Sequence, residues 1–416
     1  MNKLLLIASL VLLAAPAGAD TLRGAVEAAL AGNPALASAR ARQDALAETP
    51  EQARAAGRLT ASADAAGGYD KFDYGKGGGA TISTELPIWT GGRVSSAVRA
   101  ANGDVAAGRQ SLRDSRAALL TDVVGAYAEL LYDQQAVAIA KADIDLLARQ
   151  VDEANARFKL GKATRTDVAQ LQAQRASADA SLAGAQATLA TTAAAYRAIV
   201  GHDPGVLAPP PPSLAALPGT LDQARSRALA GNPLLEGRIQ ASQAAAARID
   251  EARANGNPSL SIGAAYGYDM NLAGPNDRTF PRAASAGLIL HVPILTGGLV
   301  ASQVREARAN RRAAEFDVES ARREAIRSAE AAWADLVAAR RRTTASEQGV
   351  EAATLALKGV RAEYSFDLRS TLDILVADES LRSAQLALAR ARSDELVAQA
   401  ALLRATGRLN GTAFGE

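Results

Sequence analysis

Two periodicities alternate along this chain, and each occurs twice. Leu260, Ile262, Ala264, Tyr266 and Tyr268 alternate with Ser259, Ser261, Gly263, Ala265 and Gly267, the period of two that marks a strand with unlike faces. Ala286, Leu288, Leu290, Val292 and Ile294 form a return strand, interleaved with Gly287, Ile289, His291 and Pro293. Earlier in the chain Ile82, Leu86 and Ile88 hold the matching places, with Thr81, Ser83 and Glu85 between them. Strands are therefore expected at about 59–70 and 80–89, and again at about 258–269 and 283–295. Lys71 to Gly79 and Asn271 to Pro281, glycine-rich or polar, are the expected turns.

After each strand pair the period lengthens. Proline is absent from Ile88 to Asp203 and from Ile294 to Glu416. Val105, Leu112, Leu119, Val123 and Leu130, then Ile144, Leu147, Val151 and Phe158, recur at helical spacing and make an alanine-softened coiled-coil seam. The pattern predicts helices at about 92–160 and 164–200, and at about 298–366 and 370–408. The longer helix of each pair would extend roughly 100 Å. Thr164-x-x-Asp167 and Ser370-x-x-Asp373 are capping boxes that start the return helices. Asn33 and Asn232 are expected N-caps, with Pro34 and Pro233 at the first helical position, where a missing N–H costs nothing. The short helices before them, Leu22 to Ala31 and Leu221 to Ala230, close on Gly32 and Gly231.

The recurrence is a duplication. Leu86-Pro-Ile-Trp-Thr-Gly-Gly-Arg-Val-Ser-Ser-Ala-Val-Arg99 matches Val292-Pro-Ile-Leu-Thr-Gly-Gly-Leu-Val-Ala-Ser-Gln-Val-Arg305. The same offset of 206 residues carries Phe158 onto Tyr364 and Asp167 onto Asp373. Ala29-Leu-Ala-Gly-Asn-Pro34 recurs as Ala228-Leu-Ala-Gly-Asn-Pro233 at an offset of 199, so one loop near 271–281 absorbs the difference. The fold class expected is α+β, a duplicated unit of β-hairpin plus long α-helical hairpin. Its repeats would span 20–200 and 220–411, joined by a linker at 201–219 that Pro209 to Pro212 stiffen. Residues 412–416 would be a tail. Met1 to Ala19 has the charge, apolar run and Ala17-Gly18-Ala19 site of an export signal.

Composition narrows the chemistry. Lys plus Arg is 46 against 44 for Asp plus Glu, and this near balance argues against a nucleic-acid partner. The chain has no Cys, which excludes disulfides, thiolate catalysis and a lipidated N-terminal cysteine. His202 and His291 are too few for a His-rich metal site. Gly75-Lys-Gly-Gly-Gly79 lacks the following helix and Ser/Thr of a phosphate loop. With no Ser/His/Asp set and no carboxylate pair in a cleft, the sequence points to no enzyme, no cofactor and no metal.

The strands raise a problem of closure. Four strands of about ten residues can cross a bilayer, and their alternation suits lipid on one side and water on the other. An open sheet edge is not tolerated in lipid, and closed barrels need about eight strands. The chain must then close with further copies of itself. Tyr69, Phe72, Tyr74, Tyr266, Tyr268 and Phe280 lie where an interfacial aromatic girdle belongs.

With the paired Pro-Ile-x-Thr-Gly-Gly segments and the tip Arg157-Phe-Lys-Leu-Gly-Lys-Ala-Thr-Arg-Thr-Asp-Val-Ala-Gln-Leu-Gln-Ala-Gln174, the chain resembles the TolC family from Thr21 to Gly411. These are outer-membrane efflux and secretion ducts. The resemblance implies a homotrimer whose twelve-stranded transmembrane β-barrel, set in outer-membrane lipid, continues as a periplasmic α-helical coiled-coil barrel. It also implies a periplasmic adaptor protein and an inner-membrane ABC or proton-driven pump as partners, in a Gram-negative envelope. By position it assigns a periplasmic gate to Thr166, Asp167, Tyr364, Arg369 and Asp373. The docking tips for the adaptor would be Leu160, Gly161, Thr164, Phe366, Asp367 and Ser370. Relatives can carry a second acid three residues after the last gate Asp; here that place is Val376. The missing N-terminal cysteine leans toward type I secretion over lipoprotein multidrug ducts. A periplasmic adaptor or a soluble coiled-coil scaffold are the alternatives, and the doubled strand–helix unit speaks against the adaptor.

Overall fold

The computed structural model describes residues 20–70, 75–271, 282–366 and 368–414. The expected export signal, Phe72, Tyr74, Phe280, Asp367 and the side chain of Tyr69 lie outside the described residues.

The elements run α1 Leu22–Gly32, α2 Pro34–Ala47, α3 Thr49–Ala55, β1 Thr60–Asp70, β2 Gly75–Trp89, α4 Arg93–Lys159 and α5 Arg165–Val200. The order then repeats as α6 Leu221–Gly231, α7 Pro233–Ala254, β3 Ser259–Asn271, β4 Arg282–His291, α8 Leu299–Ser365 and α9 Thr371–Ala405, before a short turn at Gly411–Phe414. Both α4 and α8 have 67 residues, about 100 Å of continuous helix. Among the described residues no helix is long and apolar enough to cross a membrane.

The caps form as local chemistry dictates. Asn33 Oδ1 accepts from the N–H groups of Ala35 and Leu36, and Asn232 Oδ1 from those of Leu234 and Leu235 at 3.0 and 3.2 Å. These satisfy first-turn donors that no helical carbonyl can reach.

Two strand boundaries differ from expectation. The glycine run expected as a turn belongs to β2 from Gly75, because β1 continues to Asp70 and β3 to Asn271 and both supply ladder partners. The return strand expected to reach Leu295 ends at His291. Its partner β3 begins at Ser259, opposite His291, and Pro293 has no N–H with which to extend the ladder. In β2 the corresponding proline, Pro87, sits beyond the last residue paired with β1, at a register shift between Pro87 and Trp89.

The chain divides into two compact units. One comprises Met1–Leu36, Arg116–Ala224 and Ala329–Glu416, and the elements described in it are helices. Its core includes Leu120, Val123, Leu130 and Leu147 of α4, all close to fully buried, and an alanine-lined seam of Ala332, Leu336, Ala339, Ala398 and Leu402. Phe158, read as the end of that seam, is instead 45% exposed, since the helical pair has already reached its tip there. The proline segment does not hang free. Leu207 N–H donates to Gln134 Oε1 at 3.1 Å and Leu214 N–H to Gln399 Oε1 at 2.7 Å.

Tyr127 pins Asp20, ahead of α1, to this strap. Its hydroxyl is shared between the carbonyls of Ala208 at 2.6 Å and Asp20 at 2.9 Å, and burial pushes its pKa up to about 12. Tyr127→Phe removes the donor to the Ala208 carbonyl, while the Asp20 carbonyl keeps the Ala208 N–H, and is expected to cost about 1–2 kcal/mol, read by thermal denaturation. An unchanged melting temperature would show that water replaces the hydroxyl.

The second unit comprises Ala37–Ser115 and Arg225–Ser328. It holds a four-stranded antiparallel sheet in the order β1-β2-β3-β4. Its helices approach closely at Gly103, where an added Cβ would stand 2.9 Å from Ala244 Cβ.

Candidate functional site

The sheet sorts its residues by chemistry. Register places Ala63, Ile82, Tyr266 and Ala284 in one row and Leu86, Ile262 and Leu288 in another, both on one face. The other face carries Ser62, Ser83, Ala265 and Ser285 in one row and Thr60, Glu85, Gly263 and Gly287 in the next. There Ser62 and Ser83 share a hydroxyl hydrogen bond of 2.9 Å. The apolar face is open: Ile82, Tyr266, Leu288 and Leu290 are all exposed in the single chain. A sheet with water on both sides would leave that face uncovered, whereas hydrocarbon covers it and favours it. Among the described residues neither edge, β1 or β4, has a further strand beside it.

The hairpin tips are built alike. At the first, Gly161 takes φ +71°, and Lys162 N–H returns to Arg157 C=O at 2.8 Å. At the second, Leu368 N–H returns to Glu363 C=O at 3.0 Å. Each return helix then opens on a complete capping box. Asp167 accepts from Thr164 N–H and hydroxyl, both at 2.8 Å, and Asp373 from Ser370 N–H and hydroxyl, both at 2.8 Å. Those bonds hold each carboxyl below the ordinary aspartate range, the backbone N–H contributing most.

Of the five gate positions, Arg369 and Asp373 lie close enough to interact within the single chain. Arg369 Nε donates to Glu363 at 2.7 Å, which raises the guanidinium pKa, with Asp373 adding a smaller effect. Tyr364 lies under the Arg157 guanidinium, 4.6 Å from ring centroid to carbon. Thr166 is exposed in the first turn of α5. Sequence reasoning missed Arg157 and Glu363. The repeat offset could have found them together, since 206 residues carries Arg157 onto Glu363 and so reverses the charge between tips. Of the docking positions, Gly161, Thr164 and Ser370 are exposed, and Leu160 and Phe366 are about three-quarters exposed. Leu368, equally exposed, joins them. Among the described residues no group of three or more His, Asp or Glu could hold a metal.

A model of the family described as outer membrane efflux protein matches residues 25–202 and 224–408. The chain belongs to that family. It is 32% identical to the outer membrane efflux protein BepC of Brucella suis over 99% of this chain and 90% of that protein. It is 28% identical to the outer membrane protein TolC of Vibrio cholerae, over 70% of this chain and 68% of that one. The solved structure of the outer membrane protein VceC of Vibrio cholerae superposes with a TM-score of 0.74 at 24% identity, covering 93% of this chain and 96% of that one.

This efflux-family chain is an outer-membrane exit duct protein that extends into the periplasm. Its relatives are channel proteins, not enzymes. The α+β arrangement with very long helices is that of the family's channels.

Proposed function

We propose that three copies of this chain close a twelve-stranded barrel and a continuous helical duct, gated at its periplasmic end. The repeats 20–200 and 220–411 each supply one strand pair and one helical hairpin, with 201–219 as the connecting strap. The observation that carries this is the four-stranded sheet with one apolar face, one polar face and two open edges. Lipid does not tolerate unpaired strand edges, so β4 of one copy pairs with β1 of the next until the ring closes. The tips then face a periplasmic adaptor coupled to an ABC or proton-driven pump, with Leu160, Phe366 and Leu368 as apolar anchors. The duct serves efflux or type I secretion.

The chain's lack of cysteine makes closure directly testable. Cysteines placed singly on β1 and β4 in one chain are expected to yield covalent trimers from outer-membrane fractions on oxidation. Only monomers, or recovery from the soluble periplasm, would overturn the assembly.

Gating by a ring of Asp373 makes a second prediction. At neutral pH the cap keeps this carboxyl ionised, so three copies present three negative charges at a narrow mouth. Asp373→Asn retains a cap acceptor but removes the charge. It is expected to lower cation preference in planar-bilayer conductance, an effect that fades at high salt. An unaltered reversal potential at low salt would remove Asp373 from the lumen.

A further inference from the structure

Beyond the tips, three helices of the first unit meet at a buried polar group. Asp378 of α9 is only 8% exposed. Its Oδ1 accepts from Arg361 Nη2 of α8 at 3.1 Å, and its Oδ2 from Gln150 Nε2 of α4 at 2.9 Å. One turn along α9, Arg382 reaches Asp143 of α4 at 3.5 Å and also pairs with Glu379. Gln150 Oε1 is buried and has no hydrogen-bond partner among the described residues.

We infer that Asp378, with Asp143 beside it, is a proton-responsive joint that fastens the α8–α9 hairpin to α4 more tightly as the periplasm acidifies. The sign follows from where a proton binds better. If the helices part, both carboxyls return to water and to an ordinary pKa of about 3.9. Within the joint, burial pushes both upward. Gln150 and Arg361 pull Asp378 partly back, and Arg382 does the same for Asp143, which Asp378 and Glu379 push further up. The joined state therefore takes up protons first, so falling pH favours joined over parted helices and rising pH loosens them.

The geometry supports the same direction. A protonated carboxyl is a donor, and the acceptor without a partner, Gln150 Oε1, belongs to the amide already bonded to Asp378. Neither guanidinium is stranded by neutralisation. Arg361 has a side chain 42% exposed to water, and Arg382 keeps Glu379. The joint's bearing on conduction rests on the gated-end reading; the joint itself does not.

Spin labels at Ala156→Cys on α4 and Ala362→Cys on α8, both exposed, read the separation of the hairpins. The full-length protein is assembled in lipid nanodiscs with excess cysteine-free chain, so that each assembly carries at most one labelled copy. The distance distribution is expected to narrow between neutral pH and about pH 4, the ordinary carboxylate pKa. Asp378→Asn, a neutral mimic, is expected to be narrow at both and to lose that shift, and circular dichroism checks that it folds. Arg361→Gln, which leaves the carboxylate without this counter-charge, is expected to be broader at neutral pH with an enlarged shift. A wild-type distribution that stays fixed or broadens on acidification would overturn the joint, as would a full response retained in Asp378→Asn. Narrowing without any change in conductance would uphold the joint and overturn the gate reading alone.

Discussion

Leu288→Arg is expected to abolish recovery of the protein from the outer membrane, whereas Ile289→Arg is tolerated. The two residues are adjacent in β4 and both are exposed in the single chain, at 69% and 54%. They differ in face. Leu288 shares its row with Ile262 and Leu86, while Ile289 lies with Ser261, beside the serines and glycines of the polar side. An arginine at mid-bilayer on a lipid-facing strand position costs about 2–4 kcal/mol, and a closed assembly of three copies carries that cost three times. The same side chain in a water-filled lumen costs almost nothing and changes only the local charge. Outer-membrane yield and heat-resistant assembly on electrophoresis would read the difference. Equal losses at both positions would sink the assignment of faces, and with it the reading of the sheet as channel wall.

The faces were legible because a period of two survives from Leu260 to Tyr268 without a break. The strand ends were not. A glycine run reads the same as turn or as strand, and only the neighbouring strands, which continue to Asp70 and Asn271, make Gly75 to Gly79 a strand. At the tips, Thr164 with Asp167 and Ser370 with Asp373 could be read because a cap is closed by residues three apart. Arg157 over Tyr364 could not, since it joins α4 to α8 across the fold. Asp378 is a harder case still. In sequence it is one more polar position on an alanine-rich helix. Its burial arises only when Arg361, 17 residues earlier, and Gln150, 228 residues earlier, are packed against it.

At the joint between β2 and α4, Gly91→Val is expected to cost about 2–5 kcal/mol and to reduce assembled protein sharply. Two effects combine. Gly91 has φ +61°, a left-handed conformation that costs a side-chain-bearing residue about 1–2 kcal/mol and a β-branched one at least that. An added Cβ would also lie 2.6 Å from Asn257 Cβ and 2.8 Å from the Pro258 carbonyl, so the turn into β3 must move, an overpacking cost of about 1–3 kcal/mol. Asn257 Nδ2 donates to the Gly91 carbonyl at 2.7 Å, so that movement breaks the bond tying the β2–α4 turn to the α7–β3 turn. The second repeat supplies a control. Gly297 has nearly the same backbone, φ +56°, but nothing stands within 4 Å of a Cβ built there. In the unassembled chain Gly297→Val should therefore lose only the conformational part, about 1–2 kcal/mol. Thermal denaturation of the two variants separates the effects, and equal losses would remove the steric part of the argument. If the inequality holds, the two bends from strand into helix, written almost identically in sequence, are not equivalent in the wall. The first is wedged against the start of β3, and within the single chain the second has open space beside it.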